Sequence, residues 1–322
     1  MKLSPVLVIA ISASLFARPA AQGPDATLDA AARHRIVANA VVALKQYNTD
    51  PVVAQKAADA LLAHERNGDD DSLTSVEEFA RVLTVQMRDA TGDRDLMLMF
   101  SPWKIPERDL SAPLPPAYAE QVRRRNCGFE RVDIMPGNIG YVKLNLFGDV
   151  SVCGETAREA MARLNRADAI IFDLRDNRGG FPSMIMLLTA HLFDHPEYVY
   201  LPIQNTTRES WTASPVPGNT LAGKPAYILT SQTTISGAEA FTYNLKMLKR
   251  ATIVGQTTAG ESHAAYLHGI GDNFYVGTID VRAINPYENY SWNGTGIEPD
   301  VKVGAADALA SALKLAAGKK ER

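Results

Sequence analysis

One polar stretch of the chain carries a serine at a position where a nucleophile could act. A predicted buried strand, 226–229, is followed by T-S-Q-T-T-I-S-G-A-E-A-F, in which Ser236 directly precedes a predicted helix, 237–249. A helix N-terminus carries partial positive charge and free backbone amides, which would stabilise an oxyanion. Glu239 stands three residues after Ser236, so the same letters also spell a capping box, which requires no function. The serine is therefore either a nucleophile or a helix cap.

Two further polar loops could complete such a site. D-L-R-D-N-R-G-G follows the most apolar predicted strand, 169–172, and ends in Gly179 and Gly180. Paired glycines let backbone amides approach a ligand closely and donate to an oxyanion, although a tight turn between strand and helix also favours glycine. The third loop, 257–263, contains Glu261 and His263. His263 is a candidate base, and a structural hydrogen-bonding role is the alternative.

The order of these segments resembles a known peptidase family. G-N-I-G-Y at 137–141 precedes the two longer motifs, and G-Q-T-T-A-G and G-I-E-P-D follow them. Together they resemble the C-terminal processing (tail-specific) serine peptidases over roughly residues 70–303. The resemblance is closest to the branch without a PDZ insertion, which includes the tricorn core protease and the interphotoreceptor retinoid-binding protein modules. The ordered combination is specific, whereas either long motif alone is weak evidence.

The resemblance implies a fold and a set of roles. It implies an α/β fold with a crotonase/ClpP-like core behind an N-terminal helical domain. It places Ser236 as the nucleophile, and it places the oxyanion hole at the amide of Gly237 and an amide of the Gly179–Gly180 turn. Independently of the resemblance, strands that alternate with helices after residue 128 favour an α/β core with parallel pairing.

The chain departs from this family at the positions of the general base. Members with a Ser–Lys dyad carry lysine where this chain has Glu261. The tricorn-like branch uses a histidine and a glutamate where this chain has Asp95 and Asn293. A serine hydroxyl needs a positioned base, and neutral imidazole is a suitable acceptor near neutral pH. We therefore rank the candidates as His263, then Glu261, then Asp95, since an ordinary aspartate is a weak base.

Two functions follow from these matches and departures. The first is a serine-type endopeptidase with an atypical or degraded base, acting on a peptide or on the C-terminus of a protein. The alternative is a catalytically inactive protein that binds a peptide or a small apolar ligand on the same fold. The sequence shows no sign of a metal site or an organic cofactor. A net charge of -3 without a basic cluster argues against nucleic-acid binding.

The N-terminus predicts export. Lys2, an almost wholly apolar run from 3 to 17 and a stretch of small residues together read as a cleaved signal peptide, 1–21. The alternative, a membrane anchor, is disfavoured because the apolar run is shorter than the roughly 20 residues that a span needs. We therefore expect a periplasmic or extracellular protein without a stable membrane span.

The remaining chain divides into three parts by composition. Residues 22–100 predict a helical domain, the proline-containing stretch 101–125 predicts a linker, and 126–322 predicts the α/β core. Residues 273–284 alternate and predict a long, more exposed strand. Cys127 and Cys153 are the two cysteines, and in an oxidising compartment such a pair predicts a disulfide. Two free buried thiols are the alternative.

Overall fold

A computed structural model describes residues 28–105, 113–199, 211–261, 263–282 and 292–318, with the backbone alone at 263–264 and 281–282. The predicted signal peptide, 1–21, lies outside the described residues, so cleavage and export stay predictions. No helix within the described ranges is both long enough and apolar enough to cross a membrane.

The described chain contains eight α-helices and nine β-strands. The helices are α1 (Ala30–Tyr47), α2 (Pro51–Asn67), α3 (Val76–Thr91), α4 (Pro116–Arg124), α5 (Val150–Leu164), α6 (Pro182–Ala190), α7 (Gly237–Met247) and α8 (Ala308–Gly318). The strands are β1 (Met97–Phe100), β2 (Phe129–Met135), β3 (Ile139–Leu144), β4 (Ala169–Asp173), β5 (Ala226–Thr230), β6 (Thr252–Gly255), β7 (His263–Gly271), β8 (Phe274–Arg282) and β9 (Val301–Lys302).

Helices α1 to α3 form the predicted N-terminal helical region. Their boundaries follow from local chemistry: the Ser75 side chain accepts a hydrogen bond from the amide of Glu78 at 3.3 Å, which caps α3 as the sequence predicts. Buried apolar side chains from the three helices, including Leu44, Leu61 and Phe79, pack into one core. This core positions the turn that precedes β1, where Asp95 lies.

A small antiparallel sheet joins this helical region to the later chain. Its strand order is β1-β8-β7, and Phe274 and Val276 of β8 enter the same core as the three helices. The prediction of a more exposed strand at 273–284 is wrong for 274–280, which are all buried. Strand β8 lies between β1 and β7 and packs against α1, so neither edge of it is free.

The larger sheet is the α/β core that the sequence predicts. Its order is β2-β3-β4-β5-β6-β9, with parallel pairing throughout except between β2 and β3. Strands β4 and β5 are buried at every residue, as their continuous apolar runs predict. One face carries the core shared with α5, α6 and α7, and the other packs against α8. The sheet therefore lies between two helical layers.

A disulfide fixes the start of this core. Cys127 lies in the turn before β2 and Cys153 in the first turn of α5, and the structure joins them with a Cα–Cα distance of 5.5 Å. The pairing predicted from the sequence is thus present, and both residues are almost fully buried.

Reduction of this disulfide is expected to destabilise the protein. The bond closes a loop with a sequence separation of 26, which on the chain-entropy model contributes about 3.5 kcal/mol. Urea unfolding with and without reductant measures the loss. The double variant Cys127→Ser, Cys153→Ser is the control, because reductant has no further effect on it. An oxidised chain that unfolds at the same urea concentration as the reduced chain contradicts the expectation.

Candidate active site

Three loops meet at one edge of the larger sheet. The chain leaves the carboxyl ends of the parallel strands β4, β5 and β6 through loops 174–181, 231–236 and 256–261. Open parallel sheets characteristically bind ligands at this edge. Backbone hydrogen bonds join the loops directly: the amide of Ile235 donates to Asn177, and the amide of Ala259 donates to Thr234. The three segments singled out in the sequence therefore form one site.

Ser236 occupies a strained backbone position at the start of α7. Its φ of 59° and ψ of -121° lie in a region that side-chain-bearing residues rarely adopt, at a cost of about 1–3 kcal/mol. The residue is exposed, and its amide donates to Oε2 of Glu239 at 3.0 Å. The Glu239 half of the predicted capping box is thus present. The strained turn presents the serine side chain at the surface of the site.

The glycine turn packs directly against this serine. A Cβ added to Gly179 would lie 2.8 Å from Cβ of Ser236 and 2.7 Å from the amide nitrogen of Gly237. A Cβ added to Gly237 would lie 3.0 Å from the amide nitrogen of Gly180. Only glycines permit so close an approach of the two backbones. The expected contact between Ser236 and the Gly179–Gly180 turn is confirmed.

The two glycine amides of this turn differ in what they bind. The amide of Gly179 donates to Oδ1 of Asn177 at 2.8 Å, and Asn177 is itself held by Nδ2 donating to Leu144 at 2.7 Å. The amides of Gly180 and Gly237 donate to no residue in the described part of the chain. The sequence left both glycines of the turn as candidate donors. Within the described ranges, Gly180 and Gly237 are therefore the glycines near Ser236 whose amides have no hydrogen-bond acceptor.

Glu239 holds the third loop against the serine. Its fully buried carboxylate accepts hydrogen bonds from the Thr258 hydroxyl at 2.5 Å, the Gly260 amide at 2.7 Å and the Glu261 amide at 2.9 Å, in addition to the Ser236 amide. Burial raises the pKa of Glu239, and these hydrogen bonds oppose that rise by stabilising the charged form. One carboxylate therefore fixes the relative position of Ser236 and the loop that carries Glu261.

Glu261 is the carboxylate in that loop whose titration is perturbed. Although the residue is exposed, partial burial of its carboxyl group raises its pKa, and the negative charges of Glu239 and Asp95 raise it further. The positive charge of Arg178 acts in the opposite direction. The two described base candidates, Glu261 and Asp95, are thus close enough to interact, although one follows β6 and the other precedes β1.

The remaining predicted positions are placed as follows. His263 begins β7, and its side chain lies outside the described residues, so its role stays a prediction. Asn293 lies in a turn that packs on the third loop, where the amide of Gly294 donates to Gly260 at 2.7 Å. Within the described ranges, the Ser236 hydroxyl forms no hydrogen bond with Glu261 or Asp95. The same ranges contain no cluster of three or more potential metal ligands.

The roles of two residues that organise the site were not predicted from the sequence. Asn177 shapes the glycine turn, and an asparagine just before a Gly-Gly pair is a recognisable signal for an Asx turn. Glu239 was interpreted only as a helix cap. Its second function, binding three donors of the 258–261 loop, depends on contacts between segments that are distant in the sequence.

The fold and the site define a class: an α/β protein with an exposed serine at a helix start, packed against a Gly-Gly turn. The sequence pattern described as Peptidase family S41 matches residues 138–303, more than half of the 322-residue chain. The chain belongs to this family, as its motifs predict.

Named relatives agree with that assignment. The chain is 29% identical over 171 residues to a carboxyl-terminal-processing protease of Synechocystis, covering 52% of this chain and 39% of the relative. It is 28% identical over 183 residues to carboxyl-terminal-processing peptidase 2, chloroplastic, of Arabidopsis thaliana, covering 56% and 34% respectively. The chain thus spans well under half the length of these relatives.

Solved structures share the fold over almost the whole chain. The photosystem II D1 C-terminal processing protease matches with a TM-score of 0.58 at 13% identity, covering 90% of this chain and 99% of that one. A crystal structure of a protein from Parabacteroides merdae matches with a TM-score of 0.58 at 17% identity, covering 88% of this chain and 96% of that one. At this identity the likeness establishes the fold alone.

Proposed function

We propose that this protein is an exported serine-type endopeptidase with Ser236 as its nucleophile. The observation that carries the proposal is the exposed Ser236 at the start of α7, packed against the Gly179–Gly180 turn, with the amides of Gly180 and Gly237 bound to no acceptor among the described residues. Attack of the serine hydroxyl on a peptide carbonyl generates an oxyanion, and two convergent amides are the donors that such an intermediate needs. Gly179 donates no hydrogen bond to the oxyanion, because its amide is bound to Asn177. Its role is to lack a side chain, which lets the turn pack against Ser236.

Glu261 is our proposed general base, in place of the lysine of the dyad enzymes. A base is most effective when its pKa lies near the working pH, and burial and neighbouring charge raise the pKa of Glu261 toward that range. Its amide is tied through Glu239 to the amide of Ser236, so loop and serine keep a fixed relation. A hydrogen bond between a base and its nucleophile commonly shortens only in the substrate complex, so the absence of one between Glu261 and the Ser236 hydroxyl among the described residues is compatible with this role.

The proposed substrate is an exported peptide or the C-terminal segment of a protein. The support is the naming of the relatives from Synechocystis and Arabidopsis as carboxyl-terminal-processing enzymes. Export is supported by the N-terminal sequence and by the disulfide, which persists in oxidising compartments.

A serine-reactive fluorophosphonate probe tests whether Ser236 is activated. The folded protein is expected to gain one adduct on Ser236, seen by mass spectrometry, and Ser236→Ala is expected to gain none. Ser183→Ala is the matched control, because Ser183 is an exposed serine in the first turn of α6 and lies outside the glycine contact. Labelling of Ser236→Ala at the wild-type level rules out the assignment.

The alternative is a silent binder that holds a peptide in the same cleft without cutting it. The observation that favours it is the absence, among described residues, of a hydrogen bond from the serine hydroxyl to Glu261 or Asp95. In that case the wild type shows neither labelling nor cleavage but retains saturable peptide binding. Asp95→His, which restores the histidine of the tricorn-like branch, then raises activity if the base is the only missing part.

A further inference from the structure

In the glycine-turn segment, 173–180, every charged side chain except that of Arg178 forms an ion pair with another described residue. The buried Asp173 accepts two hydrogen bonds from the Arg175 guanidinium, at 2.8 and 2.6 Å. Asp176 lies 3.2 Å from Nζ of Lys143. The guanidinium of Arg178 has no ion pair or hydrogen bond among the described residues, and the residue is exposed.

The backbone of Arg178 is anchored close to the nucleophile. Its amide donates to Asn145 at 3.1 Å, and the neighbouring Asn177 and Gly179 are tied to each other, so the backbone on both sides is constrained. Consecutive Cα atoms lie about 3.8 Å apart, and a Cβ on the adjacent Gly179 would lie 2.8 Å from Cβ of Ser236. An arginine at this point reaches about two residues along an extended peptide, which advances about 3.3 Å per residue.

We propose that Arg178 is a specificity-determining residue whose guanidinium binds a carboxylate of the peptide substrate within about two residues of the scissile bond. This inference rests on the proposed function and names the chemistry of its substrate. Planar guanidinium groups bind carboxylates through two parallel hydrogen bonds, which gives both energy and orientation. The carboxylate is either an acidic side chain or the α-carboxylate of a chain end, and the two sources are distinguishable by experiment.

A bound carboxylate would also act on the proposed base. The charge of Arg178 lowers the pKa of Glu261 in the free protein. A substrate carboxylate on Arg178 neutralises that charge, so the pKa of Glu261 rises and its basicity increases when a matching substrate is present. Binding of the carboxylate is thereby coupled to the chemistry at Ser236.

The test uses one unstructured peptide in four forms: neutral with both ends blocked, with one aspartate next to the cleaved bond, with a free α-carboxylate two residues beyond it, and with one lysine. We expect kcat/KM of the wild type for the carboxylate peptide to exceed that for the neutral one by about tenfold or more, as for a hydrogen bond to a charged group. The peptide form with the higher kcat/KM shows whether the bound carboxylate is an acidic side chain or an α-carboxylate. Raising the salt concentration is expected to shrink the gain.

Variants at position 178 test whether the preference for a carboxylate peptide depends on the positive charge of the side chain. Arg178→Gln is expected to bring the ratio between carboxylate and neutral peptides toward one, Arg178→Lys to restore part of it, and Arg178→Glu to reverse it in favour of the lysine peptide. On the neutral peptide, Arg178→Gln is expected to move the acidic limb of the pH profile upward, because Glu261 loses a neighbouring positive charge. Arg66→Gln is the matched control and keeps the wild-type ratio, because Arg66 is exposed near the end of α2 and forms no ion pair with any described residue.

Two outcomes separate this inference from the proposed function. Equal kcat/KM for neutral and carboxylate peptides in the wild type overturns the inference and leaves the peptidase assignment intact. If no peptide is cleaved, the proposed function fails, and binding to Ser236→Ala, measured by fluorescence anisotropy, decides the inference. A tighter Kd for the carboxylate form that Arg178→Gln abolishes supports it, and equal Kd values overturn it.

Discussion

Replacing Glu261 with glutamine is expected to lower kcat for peptide cleavage by about 10²- to 10⁴-fold, the range that a positioned general base contributes. Glutamine keeps the length of the side chain and the loop amide that binds Glu239, so the fold is retained. What disappears is the group able to accept the proton of Ser236. An unchanged Tm of the variant, measured beside the kinetics, shows that kcat falls because the base is lost and not because the protein unfolds.

The pH dependence provides a second measurement of the same residue. Glu261 accepts a proton only in its carboxylate form, so kcat/KM falls as the pH drops through its pKa. That pKa is raised by burial first and then by the charges of Glu239 and Asp95, so the acidic limb is expected above the ordinary range of a glutamate. Asp95→Asn removes one of those charges and should move the limb to lower pH. A limb that stays in place in Glu261→Gln means that another group, such as His263, is the base.

Much of the geometry of the candidate site was predictable from local sequence. A serine between a buried strand and a helix, and a Gly-Gly pair after another buried strand, each have a local physical meaning. Parallel pairing of those strands then places the two loops at one edge of the sheet. The choice between the Gly179 and Gly180 amides was not predictable, because it depends on the Asn177 side chain reaching one amide and leaving the other free.

The parts that the sequence could not predict involve contacts between distant segments. The hairpin of β7 and β8 follows the third loop, yet its strands pair with β1 and pack on the N-terminal helices. The alternating pattern of 273–284 is typical of a half-exposed strand, and burial on both faces arises only from these long-range partners. The same pairing brings Asp95 near Glu261, an interaction that separation along the chain conceals. The disulfide was predictable because the chain contains a single pair of cysteines.

Substituting Gly179 with alanine is expected to reduce kcat/KM by about 10²- to 10³-fold, comparable to the loss of an oxyanion-hole donor. Gly179 has a φ of +86°, and its added Cβ would meet the Gly237 nitrogen at 2.7 Å, Cβ of Ser236 at 2.8 Å and the Ile235 carbonyl oxygen at 3.0 Å. Two of these contacts are backbone atoms that cannot rotate away. The turn must therefore separate from Ser236, and the Gly180 amide moves away from the Gly237 amide with it.

The control for this substitution separates the steric clash of the added Cβ from the strain of a positive φ. Gly218 also has a positive φ, +74°, but a Cβ there meets nothing within 4 Å. Gly218→Ala therefore bears the conformational cost of about 1–2 kcal/mol without disturbing the site, and its kcat/KM should match the wild type. Urea unfolding of both variants separates stability from activity, with kinetics measured at a temperature where both remain folded. If Gly179→Ala keeps wild-type activity while folded, the contact between the glycine turn and Ser236 does not form the oxyanion hole, because that hole could not tolerate the displacement.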